Sequence, residues 1–424
     1  GHARALLSKK ATVSQSKQSS VKGRRRALSH VGGPIEARGT DEADIAIASK
    51  AFDVAPSEQA SRAHVHGFHS YPARIDPRTA RRLVEGLSPE GARVLDPFCG
   101  SGTVLVEARL FGRIAIGVDA NPLAVELAWL KVRGTTADER TAILEAARKV
   151  TAHAEQRRLA RAGATRRYGR EDVELFDPHV LLELDGLRDG IARERNKEIA
   201  RVLRLVLSAI LIKVSRRAGD SASQLAPKRL ASGYTIRLFG AKAEELVRQL
   251  AAFSAMLPKD APAPVVQVGD ARALDGIRDG SIAAIVTSPP YAGTYDYLAH
   301  HEVRLRWLSI DASAFAQREM GARRHFSELS FAEAIARWDA DFTATLRSIR
   351  RVLAPNGVAA LVLGDSAASS RPIRADRTVE KLAPRAGLRV TATVSQARPH
   401  FHGPTLRAFE KAPRREHLIL LRPA

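Results

Sequence analysis

Three aspartates stand at the carboxyl ends of three predicted β-strands, where side chains of a parallel sheet meet. Asp96 precedes a glycine turn, Asp119 lies 23 residues later at the end of the next strand, and Asp270 ends a third apolar segment. The spacing of the second acid is close to that of acids that bind a ribose. A carboxylate beside the turn suits an ammonium group, and the third suits an adenine amino group. Together they predict a ligand such as S-adenosylmethionine, which carries all three groups.

The first aspartate opens the stretch Asp96-Pro-Phe-Cys-Gly-Ser-Gly-Thr103, which runs from a strand into a helix. Gly100 and Gly102 allow a ligand to approach the backbone and the helix N-terminus. A dinucleotide fingerprint requires a third glycine at the position of Leu105. Tight turns also use glycine for purely structural reasons, so the turn alone leaves both interpretations open. Its combination with the three acids favours a cofactor site.

A second segment, Ser288-Pro-Pro-Tyr291, follows the apolar run Ile282–Val286. Two consecutive prolines end a strand because each lacks an amide donor and fixes its own φ. The strand therefore presents a serine hydroxyl, two stiff carbonyls and an aromatic ring at its end. The structural alternative is a rigid loop with a packed tyrosine.

The elements that position these residues alternate between strand and helix in two parts of the chain, residues 46–135 and 261–424, which is typical of a parallel α/β sheet. Residues 136–260 break that alternation, since they are mainly helical in pattern and dense in arginine. Residues 1–45 are rich in Ser, Gly, Lys and Arg without a hydrophobic period, which predicts a disordered basic tail. This tail either solubilises the protein or contacts phosphates nonspecifically.

Composition narrows the class of partner. The 424 residues include 67 Lys and Arg against 46 Asp and Glu, a formal charge of +21, which favours a nucleic-acid partner over a merely solvated basic surface. The aromatic content of 5% argues against a dedicated single-strand binder. The single cysteine, Cys99, excludes an intrachain disulfide and a Cys-rich zinc site. Without a membrane-length apolar run or an export signal, we expect a cytoplasmic, nucleoid-associated protein with no membrane partner.

The two motifs together resemble the amino-methylating DNA methyltransferases, most closely the cytosine-N4 type. The resemblance rests on Asp96–Thr103 and on Thr287-Ser-Pro-Pro-Tyr291, and more weakly on Phe68-His-Ser-Tyr-Pro-Ala73. It implies a class I S-adenosylmethionine-dependent methyltransferase fold, Rossmann-like, with a mostly parallel seven-stranded sheet and a helical insertion. Residues 46–135 would bind the cofactor and residues 261–424 would carry catalysis.

The resemblance also implies roles for individual residues. The Ser288 hydroxyl and the Pro289 carbonyl would accept the two N–H bonds of a flipped base's exocyclic amine. Pro290 would keep that carbonyl aimed, and Tyr291 would stack on the base. The implied cofactor-binding residues are Tyr71, Asp96, Phe98, Gly100, Gly102, Thr103, Asp119 and Asp270.

This chemistry requires neither a metal nor a covalent intermediate, because a sulfonium methyl is already strongly electrophilic. A ring-carbon methyltransferase would need a cysteine after a proline near Ser288, and Cys99 belongs to the cofactor loop instead. His400 and His402 have no acidic neighbour at ligand spacing, so we expect no metal there. Asp296, Tyr297, His300 and His301 either line the base pocket or pack the following helix.

The insertion stands between the two motifs, where one group of the family places its target-recognition region. Double-stranded DNA is the expected partner, and a restriction endonuclease is a candidate partner. The predicted DNA-contacting residues are Arg216, Arg217, Lys228 and Arg229. The alternative is a helical cover packed on the sheet with solvated arginines. Rival functions are N6-adenine methylation of DNA, amino-methylation of RNA, and a catalytically inactive DNA-binding subunit.

Overall fold

A computed structural model of the chain describes residues 33–220, 222–293, 296–368, 370–398 and 403–424. The strands are β1 (Glu36–Gly39), β2 (Arg93–Asp96), β3 (Ile114–Asp119), β4 (Val265–Val268), β5 (Ile282–Thr287), β6 (Leu353–Gly364), β7 (Ser366–Ala368), β8 (Arg371–Ile373), β9 (Leu388–Ala397) and β10 (Arg415–Pro423). The helices are α1 (Glu42–Phe52), α2 (Glu58–Ser61), α3 (Pro77–Leu87), α4 (Thr103–Leu110), α5 (Pro122–Val132), α6 (Ala137–Leu159), α7 (Arg170–Leu175), α8 (Pro178–Ala192), α9 (Lys197–Val214), α10 (Tyr234–Met256), α11 (Tyr297–Trp307), α12 (Ser313–Arg318), α13 (Arg323–Phe326), α14 (Phe331–Val352) and α15 (Ala375–Leu382). Short 3₁₀ helices lie at His64–Gly67, Pro384–Ala386 and Gly403–Phe409.

The main sheet has eight strands in the order β1-β9-β10-β6-β5-β2-β3-β4. Strands β4, β3, β2, β5 and β6 pair in parallel, whereas β10 runs antiparallel between β6 and β9. The mostly parallel sheet predicted from the sequence is therefore confirmed. Because β2 and β5 are neighbours, the two sequence motifs emerge side by side at one edge of the sheet.

The eighth strand corrects the prediction for the N-terminal region. Residues 1–45 were expected to be disordered, but β1 pairs antiparallel with β9 and α1 follows it directly. Asp44 on α1 is buried, accepts a hydrogen bond from the Thr391 hydroxyl at 2.6 Å and pairs with Arg422 at 2.7 Å. These long-range contacts order a segment whose local sequence shows no such tendency. Residues 1–32 lie outside the described part of the chain.

Five helices, α6 to α10, form the insertion, and its predicted helical character is confirmed. The Thr136 side chain and Glu139 form a capping box at its first helix. Near its end, the Ser254 hydroxyl accepts a hydrogen bond from the Thr135 amide at 2.9 Å. The chain thus leaves the sheet after α5 and returns before β4 at nearly the same point.

Local sequence accounts for most element boundaries. The apolar pattern of the sequence predicts helices over residues 77–87 and 122–132, and α3 and α5 have these bounds, because an N-cap side chain and a proline in the first turn start each helix. Ser330 and Glu333 are spaced as a capping box in the sequence, and this capping box starts α14. The sequence predicts a strand over residues 358–363, but β6 begins earlier, at Leu353, because it pairs there with Ile282 of β5.

Apolar side chains fill both faces of the sheet. One cluster joins α3, α4 and α5 to the inner faces of the insertion helices, and the other packs α14 and α15 on the opposite side. Among the residues that the structure describes, no helix is long and apolar enough to cross a membrane.

Candidate methyltransferase site

A cavity of about 820 Å³ opens where β2, β3, β4 and β5 end. Nine of the sequence-predicted site residues line it: Tyr71, Asp96, Phe98, Gly100, Thr103, Asp119, Asp270, Ser288 and Pro290. Gly102 stands behind the wall, and a Cβ there would lie 3.1 Å from Cα of Ala128 on α5. The glycine at this position therefore allows the cofactor loop and α5 to pack closely.

Asp96 is the deepest acid in the cavity. Its carboxylate accepts hydrogen bonds from the Thr287 hydroxyl at 2.6 Å and from the Phe98 amide at 3.0 Å. Burial outweighs these bonds and raises the pKa of Asp96 to about 7. A cationic ligand beside this carboxyl group would stabilise its ionised form and so bind favourably.

Asp119 shapes the glycine loop from the neighbouring strand. One carboxylate oxygen accepts from the Gly100 amide and the other from the Asn121 amide, both at 2.8 Å. Burial raises the pKa of Asp119 to about 6. The carboxylate therefore holds the loop while facing the cavity, where a ribose hydroxyl could donate to its remaining lone pairs.

Tyr71 covers the loop from the other side. Its Cε1 atom lies 3.1 Å from where a Cβ at Gly100 would stand, and Gly100 has φ +52°. Tyr71 also stacks on His301 at a centroid distance of 5.1 Å and on Tyr297 at 5.9 Å. The weak upstream motif is thus brought to the glycine loop, as its predicted cofactor role requires.

The third acid, Asp270, is held by Arg272, which donates to both carboxylate oxygens and also pairs with Asp341. Although burial alone would raise it, the pKa of Asp270 is lowered, chiefly by the hydrogen bonds from Arg272. Asp270 lines the cavity, so the three acids meet at one edge of the sheet as predicted.

One further group of residues that line the cavity was not predicted from the sequence. The cavity is also lined by four residues in and after α12, namely Phe315, Arg318, Glu319 and Met320. Phe315 and Met320 are buried, and their apolar side chains suit the flat face of an adenine. The segment has no recognisable motif and follows the catalytic loop by two dozen residues, so only the three-dimensional fold reveals it.

A second, more open cavity meets the first at Ser288. It is also lined by Tyr291, Arg398 and Arg414, while Ala73–Ile75 and Thr103 contribute to both. Ser288 therefore lines both the first cavity and this second cavity, which we call the open cavity, and Tyr291 lines the open cavity. Pro289 is buried behind them.

Tyr291 is fixed by its surroundings. The Arg414 guanidinium lies over its ring at 5.8 Å from the centroid, and Arg414 itself donates to the Asp365 carbonyl at 3.0 Å. A Cβ at Gly364 would lie 2.2 Å from Nη2 of Arg414 and 3.0 Å from the Tyr291 ring, so a side chain there would displace the guanidinium and crowd the ring. The aromatic ring is thus preorganised beside the serine.

The four residues that could have lined the base pocket do not line the open cavity: Asp296, Tyr297, His300 and His301. Asp296 accepts from the Ala299 amide as the N-cap of α11 and pairs with Arg324, and His301 is fully buried against Tyr71. Tyr297 lines the cofactor cavity. His400 and His402 lie outside the described residues.

The four predicted DNA-contacting residues divide into two kinds. Arg216 pairs with Asp177 at 2.8 Å, and Lys228 donates to the Lys213 carbonyl at 3.1 Å near the end of α9. Both therefore have structural contacts already. Arg229 is exposed, and Arg217 is partly exposed beside a short bridge to Leu225.

Comparisons with known proteins find similarity to methyltransferases over part of the chain. The model of the N6/N4 methyltransferase family, described as DNA methylase, matches residues 9–129. The type II methyltransferase M.MjaII of Methanocaldococcus jannaschii is 35% identical over 83 residues, covering 20% of this chain and 16% of that protein. The type II methyltransferase M.MvaI of Kocuria varians is 42% identical over 62 residues, 14% of each chain. The predicted resemblance to the amino-methylating DNA methyltransferases is confirmed.

A third relative is a tRNA (guanine(10)-N2)-dimethyltransferase of Methanothermobacter thermautotrophicus, 39% identical over 77 residues, covering 18% of this chain and 20% of that protein. Each of these matches spans at most about a fifth of the relative's length.

Among solved structures, a TehB-like SAM-dependent methyltransferase from Corynebacterium glutamicum matches 81% of this chain and 87% of its own, with TM-score 0.29 and 11% identity. The rRNA methyltransferase aviRa from Streptomyces viridochromogenes matches 86% and 93%, with TM-score 0.32 and 14% identity.

The strand order and the site place the chain in the class I, Rossmann-like methyltransferase fold, and its resemblance is to the amino-methylating family within that class. The fold and the family model imply S-adenosylmethionine as the cofactor. The cavity fits it, since it offers buried acids for an ammonium and a ribose and apolar side chains for an adenine.

Proposed function

We propose that the protein transfers a methyl group from S-adenosylmethionine to the exocyclic N4 of a flipped cytosine in double-stranded DNA, by direct in-line transfer. The observation that carries the proposal is the position of Ser288 between the cofactor cavity and the open cavity. A methyl donor and a base that approach from these two sides meet at the serine.

In this proposal, the residues of the chain orient the exocyclic amine of the base towards the methyl group. An exocyclic amine is a poor nucleophile because its lone pair is delocalised into the ring, so the protein must hold its N–H bonds out of that plane. The Ser288 hydroxyl and the Pro289 carbonyl accept these bonds, and Tyr291, fixed by Arg414, stacks on the base. The bound cofactor supplies the electrophilic methyl group. The methylated nitrogen then loses one proton to water in the open cavity.

The test is methyl transfer from labelled S-adenosylmethionine to unmethylated DNA and to RNA, followed by nucleoside digestion and mass spectrometry. We expect N4-methyldeoxycytidine, with turnover reduced by about 100-fold or more in Ser288→Ala. Ser281→Ala, at the opposite end of β5, is the matched control and should retain activity. Binding of S-adenosylhomocysteine, measured by calorimetry, should be unchanged in both variants.

Two other outcomes would change the proposal. N6-methyldeoxyadenosine would keep the mechanism and replace the base, since the same acceptors serve either amine. Label in RNA alone would replace the substrate. The match to the tRNA methyltransferase favours testing RNA in parallel. A failure to bind S-adenosylhomocysteine would support an inactive DNA-binding subunit.

A further inference from the structure

A groove rich in arginine lies in the insertion, away from both cavities of the methyltransferase site. Four guanidinium groups line it, from Arg166, Arg188, Arg201 and Arg204, and its floor is formed by Trp307–Ile310. We name it the arginine groove. Its empty volume is about 1140 Å³, open on one side.

The charges in the arginine groove are not balanced. Glu126 is its one acidic lining residue among those described, and both its oxygens bond to Arg201, at 2.6 and 2.9 Å. Arg166 and Arg204 are exposed and form no ion pair within the described residues. Arg166 and Arg204 therefore reach the groove without an acidic partner, whereas the Asp172 carboxylate, which is not part of the groove lining, interacts with Arg188.

Arg188 is held beside an aromatic ring and close to another positive charge. Its guanidinium lies over the buried Trp307 ring at 5.1 Å and donates to the Ser309 hydroxyl at 3.2 Å. Burial and then the nearby Arg166 charge lower the pKa of Arg188. A fixed, partly desolvated arginine beside a like charge is stabilised when an anion binds.

The position of the groove indicates which anion. Helix α11 begins at Tyr297 in the cofactor cavity and ends at Trp307 in the groove floor. Its 11 residues span about 16 Å at 1.5 Å per residue. A few base pairs of a DNA duplex span that distance along the duplex axis, at about 3.4 Å per base pair, so one duplex bound at the site reaches the groove.

We propose that the arginine groove binds the phosphate backbone of the same DNA molecule whose base enters the methyltransferase site. This rests on the proposed function for its substrate, but the groove is built from residues other than the four that the sequence predicted. Its guanidinium groups contact phosphates and position the duplex, while Ser288 and Tyr291 act on the base.

The test is charge reversal of the two exposed arginines, in Arg166→Glu/Arg204→Glu. The matched control is Arg377→Glu/Arg385→Glu, which changes the net charge equally on exposed residues of α15 and the following 3₁₀ helix. The affinity of the full chain for a duplex is measured by fluorescence anisotropy over a series of salt concentrations. S-adenosylhomocysteine affinity is measured alongside it.

We expect the groove variant to bind duplex at least tenfold more weakly at physiological salt. The slope of log affinity against log salt should fall in magnitude by about 2, since each lost phosphate contact removes about 0.9. The control should lose much less, and cofactor affinity should be unchanged in both. Unchanged cofactor affinity would show that the substitutions act on DNA binding alone. A failure of the proposed function would appear differently, as absent methyl transfer or absent cofactor binding in the unaltered protein.

Three results would overturn the proposal. Equal losses of duplex affinity in the groove variant and the control variant would show that only the net charge of the protein matters. A groove variant that loses affinity for an RNA hairpin but not for duplex DNA would assign the groove to RNA. Protection of the unaltered protein against heat by millimolar inorganic phosphate, lost in the groove variant while duplex affinity is kept, would assign it to a small anion.

Discussion

Under the proposed function, the buried carboxyl group of Asp96 makes ligand binding depend on pH. Its pKa is raised to about 7 by burial, against 3.8 for an ordinary aspartate. In the empty protein it therefore holds a proton between about pH 4 and 7, and its contribution to stability is lost as the pH rises through that window. A ligand ammonium requires the ionised form, so ligand binding has the opposite pH dependence.

We therefore predict that the affinity for S-adenosylhomocysteine rises with pH between 5 and 7, by up to about tenfold per unit for each coupled carboxyl group, and levels off above. Calorimetry over this pH range checks it. A flat profile would show that Asp96 does not pair with the ammonium.

The Thr287→Val variant sharpens that experiment without removing the carboxyl group. The Thr287 hydroxyl donates to Asp96 at 2.6 Å, and this bond lowers the pKa of Asp96. Its loss should move the midpoint of the binding profile to higher pH, with affinity at pH 8 nearly retained. A profile that does not move would contradict the assignment.

Tyr71 is the residue for which the sequence offered least support. The expected role requires an aromatic ring over Gly100 rather than the phenol oxygen, because the ring stacks between His301 and the loop. Tyr71→Phe should retain the KM for S-adenosylmethionine, while Tyr71→Ala should raise it on the order of tenfold with a smaller change in kcat. Equal effects of both substitutions would favour a polar role instead.

At the level of elements, the ends of β6, β9 and β10 are joined by a buried polar network. His417 bonds to Ser395 at 2.7 Å and to Asp365 at 2.8 Å, and Asp365 also accepts from Arg374 and from the Arg415 amide. All of the Asp365 side chain is buried. The network holds β10 beside the strand whose end carries Gly364, and so keeps Arg414 over Tyr291.

Asp365→Asn should therefore destabilise the fold by about 3 kcal/mol, because it leaves buried positive and donor groups without their charged partner. Asp279→Asn breaks an exposed pair with Arg351 and should change stability by about 0.5 kcal/mol or less. Denaturant unfolding measures both. Similar small changes in the two variants would mean that the network does not hold this corner of the sheet.

How far the sequence predicted these elements depends on what determines each one. Helices α3 and α5 have caps and prolines of their own, and the strand-end acids follow from the alternation of apolar segments. Strand β1 and the wall at Phe315 and Met320 have no local signal, because pairing with β9 and packing across the cavity define them. The Ser288-Pro-Pro-Tyr291 motif and its position after a strand were visible in the sequence, whereas the residues that fix it, such as Arg414, were not.

For the whole molecule, the N-terminal 45 residues, predicted as a single basic tail, divide into a basic segment and a segment that belongs to the fold. Residues 1–32 carry eight Lys and Arg and no Asp or Glu, whereas residues 36–45 belong to the fold. Deletion of 1–32 should weaken nonspecific DNA binding and spare turnover at saturating DNA. Deletion of 1–45 removes β1 and Asp44 and should also lower the melting temperature. Equal melting temperatures of the two truncations would contradict the structural role of β1.

The insertion whose two ends meet at Thr135 and Ser254 also bears on the order in which the molecule folds. Strands β3 and β4 pair Asp119 with Val268 across about 150 residues, a loop whose closure is slow when the intervening chain is unfolded. Once α6 to α10 have folded, their ends lie together and the remaining loop is short. Helix content should therefore recover before ligand binding during refolding, because Asp270 reaches the other two acids only after the insertion has closed.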